Sequence, residues 1–315
     1  MSPSTLTLHR HGFFLLALLA AALLPPGAAC GQPVLDAGDL PENAQWYVHA
    51  NVQGLRQSDL LAPFYEESLG EAFSDIEEEI GLDLSQELTG VTAFGASIPS
   101  DSAAVVLHGL TETTQLSMLE LITEHGELLE LDYAGVSYYQ IGKHFGDGHR
   151  IDVDDTMLFS FGPEQTLVTS DLDLLQQFID AGSQLSGTQP PTGDALIVLK
   201  ASQALVQGGL NPGGMSGAGP FDSSLLENID QLGGVVSESA AGLSVYAKVF
   251  ARDDATASYV HNILQGLVSL KALDAGSDPA FNTLISLLSI TSDGPEVTLD
   301  LTIPPELAAD LVDEL

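Results

Sequence analysis

The segment Lys143-His144-Phe145-Gly146-Asp147-Gly148-His149-Arg150-Ile151-Asp152-Val153-Asp154-Asp155 holds the densest group of ligand-type side chains in the chain. His144, Asp147 and His149 would present two imidazoles and a carboxylate from one loop. Asp152 and Asp154, two residues apart, share one face of a strand. Imidazole nitrogen and carboxylate oxygen together suit a divalent ion, so these five residues are the candidate metal ligands, and a divalent cation is the one cofactor the sequence suggests. The competing reading is a solvent-facing hairpin. Gly146-Asp147-Gly148 is ordinary turn chemistry, and Lys143 and Arg150 offer the acids local counter-charges without a metal. The strands that must position this loop are Val136 to Ile141 and Thr156 to Phe161.

Other chemistry is sparse. No serine sits in a G-x-S-x-G elbow and no H-E-x-x-H pair occurs, so no catalytic residue is assigned. Gly208 to Pro220 is glycine-rich but lacks the Lys-Ser/Thr ending of a phosphate loop. Glu77-Glu78-Glu79 has no calcium-loop spacing and reads as a solvated helix face. His108 and His125 stand alone on their elements and read as packed or surface histidines. Tyr133, Tyr138 and Tyr139 read as residues packing on the sheet.

Cys30 is the only cysteine, which rules out structural disulfides within the chain. It follows a start with Arg10 and no acid, the apolar run Phe13 to Leu24, and the small-residue break Pro25-Pro26-Gly27-Ala28-Ala29. That order is the pattern of a secretory signal peptide, and its apolar run is shorter than the roughly 20 residues of a membrane span. Lipidation of Cys30 is one expectation and plain secretion after Ala29 the other. The two alanines suit a lipoprotein cleavage site, whereas Gly27 replaces its usual leucine-like residue. The chain is expected outside the cytoplasmic membrane, periplasmic or lipid-anchored to the envelope, with membrane contact only through a lipid on Cys30.

The 44 Asp and Glu against 8 Lys and Arg give a formal net charge of −36, a surplus that excludes nucleic acid and anionic lipid as partners because both demand a basic footprint. Between Arg56 and Lys143 there is no Lys or Arg. Carboxylates there repel one another at low ionic strength and are screened in salt, so the chain reads as salt-tolerant. A 44% hydrophobic content and positive mean hydropathy separate it from disordered polyanions.

The Gly, Ser, Thr and Pro-rich stretch 182–193 reads as a linker. The expected organisation is a signal peptide over 1–29, a tether over 30–40, an α+β domain over 41–181, the linker, and a second α+β domain over 194–315. Trp46 to Gln57 can be laid over Leu196 to Gln207 with Val48 on Val198 and Leu55 on Leu205. Each half reads as strand, helix, two strands, helix, strand. The first half has a strand over 46–52, a helix over 58–80, strands over 89–97 and 103–110, and a helix over 113–125. The second has a strand over 195–201, helices over 222–232 and 255–270, and a helix starting at Pro304-Pro305. Ser170 to Asp173 has capping-box spacing, and Asp253-Asp254 opens the helix at 255. This order predicts two tandem ferredoxin-like (βαββαβ) sandwiches with antiparallel sheets.

The opening Pro41 to Leu60, with Ala44-Gln45-Trp46-Tyr47-Val48-His49-Ala50-Asn51 leading into Leu55-Arg56-Gln57-Ser58-Asp59-Leu60, resembles the start of uncharacterised bacterial exported proteins. The resemblance covers about twenty residues and implies location and α+β architecture, with no activity to carry over. His49 and Asn51 match its polar positions, and alternate polar residues in a strand read as one solvated face. The functional expectation is a non-catalytic interaction or scaffold module with a protein partner in the cell envelope. The alternative is a divalent-metal-binding protein or metal-dependent hydrolase built on the 144–155 hairpin.

Overall fold

Strict alternation of buried and half-buried side chains along Trp46–Ala50 and Ala103–His108 is the signature of strands packed hard on one face and lightly on the other. A computed structural model describes residues 44–66, 84–95, 103–125, 128–141, 157–162, 165–180, 195–202, 228–274 and 279–312. Its strands are β1 (Trp46–Ala50), β2 (Gly90–Gly95), β3 (Ala103–His108), β4 (Leu128–Tyr133), β5 (Val136–Ile141), β6 (Met157–Gly162), β7 (Gln165–Thr169), β8 (Ala195–Ser202), β9 (Ile229–Ser239), β10 (Gly242–Ala251), β11 (Ser289–Asp293) and β12 (Glu296–Ile303). They form one sheet in the order β11-β12-β10-β9-β8-β1-β2-β3-β7-β6-β5-β4.

The described helices are α1 (Val52–Gln57), α2 (Ala62–Tyr65), α3 (Leu84–Glu87), α4 (Glu112–His125), α5 (Leu172–Asp180), α6 (Asp254–Asp274), α7 (Pro279–Leu287) and α8 (Pro305–Val312). On one face, α5 lays Leu174, Leu175, Phe178 and Ile179 into a cluster with Tyr47, Phe94, Val106 and Leu167. On the other face, α1 and α4 contribute Val52, Leu55 and Met118 to a cluster with Leu196. Farther along that face, α6 packs Ala257 and Val260 on Val249 and Val297, and α8 packs Ala308 near Val245 and Leu301.

This architecture corrects the expectation of two ferredoxin-like sandwiches. In a ferredoxin-like sandwich the two strands that flank a helix run parallel with a third strand between them, whereas β1 and β2, which flank α1 to α3, pair directly and antiparallel from Trp46↔Gly95 to Ala50↔Val91. The strands expected to open two separate sheets, β1 and β8, pair with each other from Trp46↔Ala201 to Ala50↔Ile197. The described part of the helix expected over 222–232 is also corrected, because Ile229 to Leu232 belong to β9, and 222–227 lies outside the described residues. Gly233 and Gly234 follow them, which disfavours a helix but leaves a strand intact. Of the helix expected over 58–80, the described part contains α2 alone, and 67–83 lies outside the described residues.

The caps differ in detail from the sequence reading. Asp171, not Ser170, caps α5, its Oδ1 accepting from Asp173 N at 2.8 Å and Leu174 N at 3.2 Å. Asp253 caps α6 as expected, accepting from Thr256 N at 2.7 Å. This hydrogen bond is the main reason its carboxyl titrates below the usual range.

Two glycine turns show how tightly the chain is closed. Gly242, which ends the β9–β10 turn, has φ +121°, and a Cβ there would lie 1.9 Å from Ile303 O. Gly135, in the β4–β5 turn, has φ +81° with nothing within 4 Å of a Cβ. Gly242→Ala is therefore expected to cost more than about 2 kcal/mol because backbone must move, and Gly135→Ala about 1 kcal/mol for the left-handed conformation alone. Urea denaturation of the two variants measures that order.

Candidate functional site

A row of directly paired residues crosses the sheet as Ser160, Leu167, Val106, Thr92, His49, Val198, Val235, Tyr246, Asp300 and Ser289. Direct pairing puts all of them on one face. His108, two residues beyond Val106, shares that face and stands diagonally from Thr92. His49, Thr92 and His108 are all buried, with Thr92 at 0% exposure.

The three side chains form a relay. His49 Nδ1 lies 2.8 Å from Thr92 Oγ1, and Thr92 Oγ1 lies 2.7 Å from His108 Nε2. The two rings meet edge to face at 5.7 Å between centroids. Gly90, opposite His108 in the register, makes room for this arrangement, since a Cβ on it would lie 2.9 Å from His49 Cε1.

Proton placement follows from counting donors. The threonine hydroxyl carries one proton, so one of the two imidazoles must donate to it and the other must accept. His108 Nδ1 is buried without a hydrogen-bond partner among the described residues. A proton there would be an orphaned buried N–H, and a bare ring lone pair is the cheaper omission. His108 Nε2 therefore donates to Thr92 Oγ1, which donates to His49 Nδ1. Burial, aided by the neighbouring His108, pushes the His49 imidazole down to about 3. Burial alone pushes His108 down to about 4. Both are neutral at physiological pH.

A hydroxyl flanked by two neutral imidazoles has the parts of an activated nucleophile. With the Thr92 oxygen sealed in the core, no substrate reaches it, and the arrangement ties three strands together at about 1 kcal/mol per hydrogen bond. Reading His49 as a residue of a solvated strand face is thereby corrected. Its polar partners lie on β2 and β3, where the sequence of β1 gives no sign of them. Asn51, the other polar position of that motif, caps α1 by accepting from Gly54 N at 2.8 Å. His108 is packed, as expected.

The candidate ligands His144, Asp147, His149, Asp152 and Asp154 lie outside the described residues, as do Cys30, Glu77 to Glu79 and Gly208 to Pro220. The strands flanking the 144–155 segment do pair as a hairpin, through Tyr139↔Phe159, Gln140↔Leu158 and Ile141↔Met157. Among the described residues, no group of three or more His, Cys, Asp or Glu is placed to hold a metal ion. Of the three tyrosines, Tyr138 is buried, Tyr139 packs on Phe161 at 5.7 Å, and Tyr133 OH donates to Asp180 at 3.1 Å.

No protein-family model and no curated protein matches the sequence. Among solved structures, the chain is similar to crystal form III of TP0453 at 12% identity and a TM-score of 0.43, over 90% of this chain and 100% of that one. Crystal form IV of TP0453 gives 11% identity and a TM-score of 0.44, over 88% and 97%. Likeness at this level assigns neither fold nor function.

The relay sets a pH dependence. The folded pKa values lie below the ordinary 6.5, so below that pH the unfolded chain binds protons that the folded chain refuses. Stability is full above about pH 6.5 and falls as pH drops towards 4, with a slope approaching about 1.4 kcal/mol per pH unit for each imidazole. Denaturation in molar NaCl, which screens carboxylate repulsion, should show this decline in the native chain. A His49→Phe/His108→Phe variant should lack it, and an unchanged slope in that variant would place the acid sensitivity elsewhere.

Proposed function

We propose that this chain is an exported, strongly anionic envelope protein whose body acts as a non-catalytic interaction module for a protein partner in the cell envelope. The observation that carries the reading is what has become of its few cations. Arg56 Nη2 donates to Leu88 O at 3.0 Å, and Arg252 Nη1 donates to Asn228 Oδ1 at 3.0 Å. Lys248 pairs with Glu296 and lies 5.1 Å from the centre of the Phe250 ring. Lys200 is buried. These four of the chain's eight Lys and Arg are engaged within the fold, and the excess of 44 Asp and Glu leaves carboxylates to set the surface potential. Such a surface attracts cationic or uncharged partners and repels nucleic acid and anionic lipid.

The leader-like sequence over residues 1–29 supports export, and Cys30 supports either a lipid anchor or a free start after Ala29. Among the described residues, burial of the relay with nucleophile-like geometry supports a body that works by contact rather than chemistry. Among the described residues, no helix is long and apolar enough to cross a membrane.

Mass spectrometry of the protein recovered from fractionated host cells is expected to find Cys30 at the N-terminus, bare or acylated, outside the cytosol. An intact residue 1 in the cytosolic fraction would overturn export. The surface reading predicts that an oligo-lysine peptide binds and that its affinity falls steadily with added NaCl, while DNA of equal length does not bind. Tight binding of DNA, or lysine binding indifferent to salt, contradicts it.

A further inference from the structure

Helix α6 carries an apolar arc wider than the sheet covers. Its inner side places Ala257, Val260 and Leu264 against the sheet. About 120° round the helix, at 100° per residue, a second stripe runs through Tyr259, Ile263, Gly266 and Leu270. Tyr259 is 68% exposed and Leu270 66%, Gly266 is exposed, and Ile263 is half-buried. Between Asp254 and Lys271 the helix contains no Asp, Glu, Lys or Arg, in a chain whose net charge is −36.

We propose that α6 is a self-association surface, pairing antiparallel with α6 of a second copy of this chain. Tyr259 would meet Leu270 of the partner subunit, and Ile263 would meet Gly266 of the partner subunit. Three features of the stripe select this occupant. The spacings along it are four, three and four residues, so it reads the same from either end, as a two-fold interface requires. Its pattern of large and small side chains is self-complementary only when the helices run in opposite directions. A glycine inside a helix is destabilising relative to alanine, and nothing lies within 4 Å of a Cβ on Gly266, so packing within the chain does not call for it. A partner side chain that needs a hollow there does.

Charge points to the same face. Elsewhere two such polyanions repel, and this uncharged stripe is where they can approach. One helix pair buries less than the roughly 1,200 Å² of a standard interface, so association is weak. Salt should strengthen it by screening the repulsion while sparing the apolar seam. The inference is independent of whether the chain is exported.

Sedimentation of the full chain from low micromolar to several hundred micromolar, in low and molar NaCl, tests it. The expected result is a monomer–dimer equilibrium that shifts towards dimer with salt. Gly266→Glu, which puts bulk and charge into the hollow, should weaken dimerisation at least tenfold without lowering the melting temperature. In a Tyr259→Cys/Leu270→Cys chain, oxidation should link position 259 to position 270. These positions are about 16 Å apart along one helix, so that link forms only between copies. A monomer at every concentration in molar salt overturns the proposal. So does dimerisation unchanged by Gly266→Glu, or cross-linking that joins 259 to 259 and 270 to 270.

Discussion

The pairing of β1 with β8 is the constraint on which the rest of the sheet depends. Without it, each strand would be the exposed edge of a half-sheet, presenting a row of unpaired N–H and C=O groups. Joined, they turn two edges into the centre of a twelve-stranded sheet. The seam is extended past the strand ends by Ser202 N donating to Gln45 O at 2.6 Å and Asn51 N donating to Leu196 O at 2.8 Å. Asn51 Nδ2 adds a bond to Ala195 O at 3.3 Å, and Glu238 of β9 accepts from the Ser58 hydroxyl and from Asp59 N. Residues far apart in the chain thus hold the α1–α2 corner against the second half. The histidine relay begins on β1 itself, so its burial requires that β8 close this side of the strand.

A chain with so few cations must find other partners for its carboxylates, and backbone N–H groups supply them. Asp171 and Asp253 occupy helix N-termini, where unsatisfied donors and the helix dipole both favour negative charge. Glu87 gathers Thr111 N and the hydroxyls of Thr111 and Thr114 at the start of α4. Asp132 accepts from Gly135 N in the β4–β5 turn. The aspartate contacts are local and those of Glu87 span the β2–β3 hairpin, and none depends on a lysine or arginine. Acidity is therefore built into the caps and turns as well as displayed on the surface.

What could be read from the sequence was the existence of elements, and what could not was their pairing. Strands at Trp46, Ala103 and Ala195 and helices at Glu112, Asp254 and Pro305 announce themselves through alternation, caps and proline placement. The order of strands in a sheet depends on contacts between residues many tens of positions apart, and nothing local marks β8 as the neighbour of β1. The relay was hidden for the same reason. His49 alternates with apolar neighbours as a solvent-facing residue would, and only Thr92 and His108, brought from two other strands, make its burial affordable. Gly90 was the one local signal, a small residue opposite a histidine, and it acquires meaning only once the register is known.

Outward from the seam the first five strands of each half follow one order, β1-β2-β3-β7-β6 on one side, which β5 and β4 extend, and β8-β9-β10-β12-β11 on the other. They do not repeat the use of faces. Val48 pairs with Leu199, so Val48 and Val198, which the sequence overlay superposes, point to opposite sides of the sheet. A shift of one residue exchanges every inward and outward side chain of a strand. The closing helices follow suit. In the first half α5 covers the face of Tyr47 and Leu167, whereas in the second α8 covers the opposite face, with Val245 and Leu301. The row that holds Thr92 and His49 in the core consequently emerges, four strands on, at half-buried Tyr246 and Asp300. The same topology buries a neutral polar relay in one half and shows a polar surface in the other, and the register of single strands decides which.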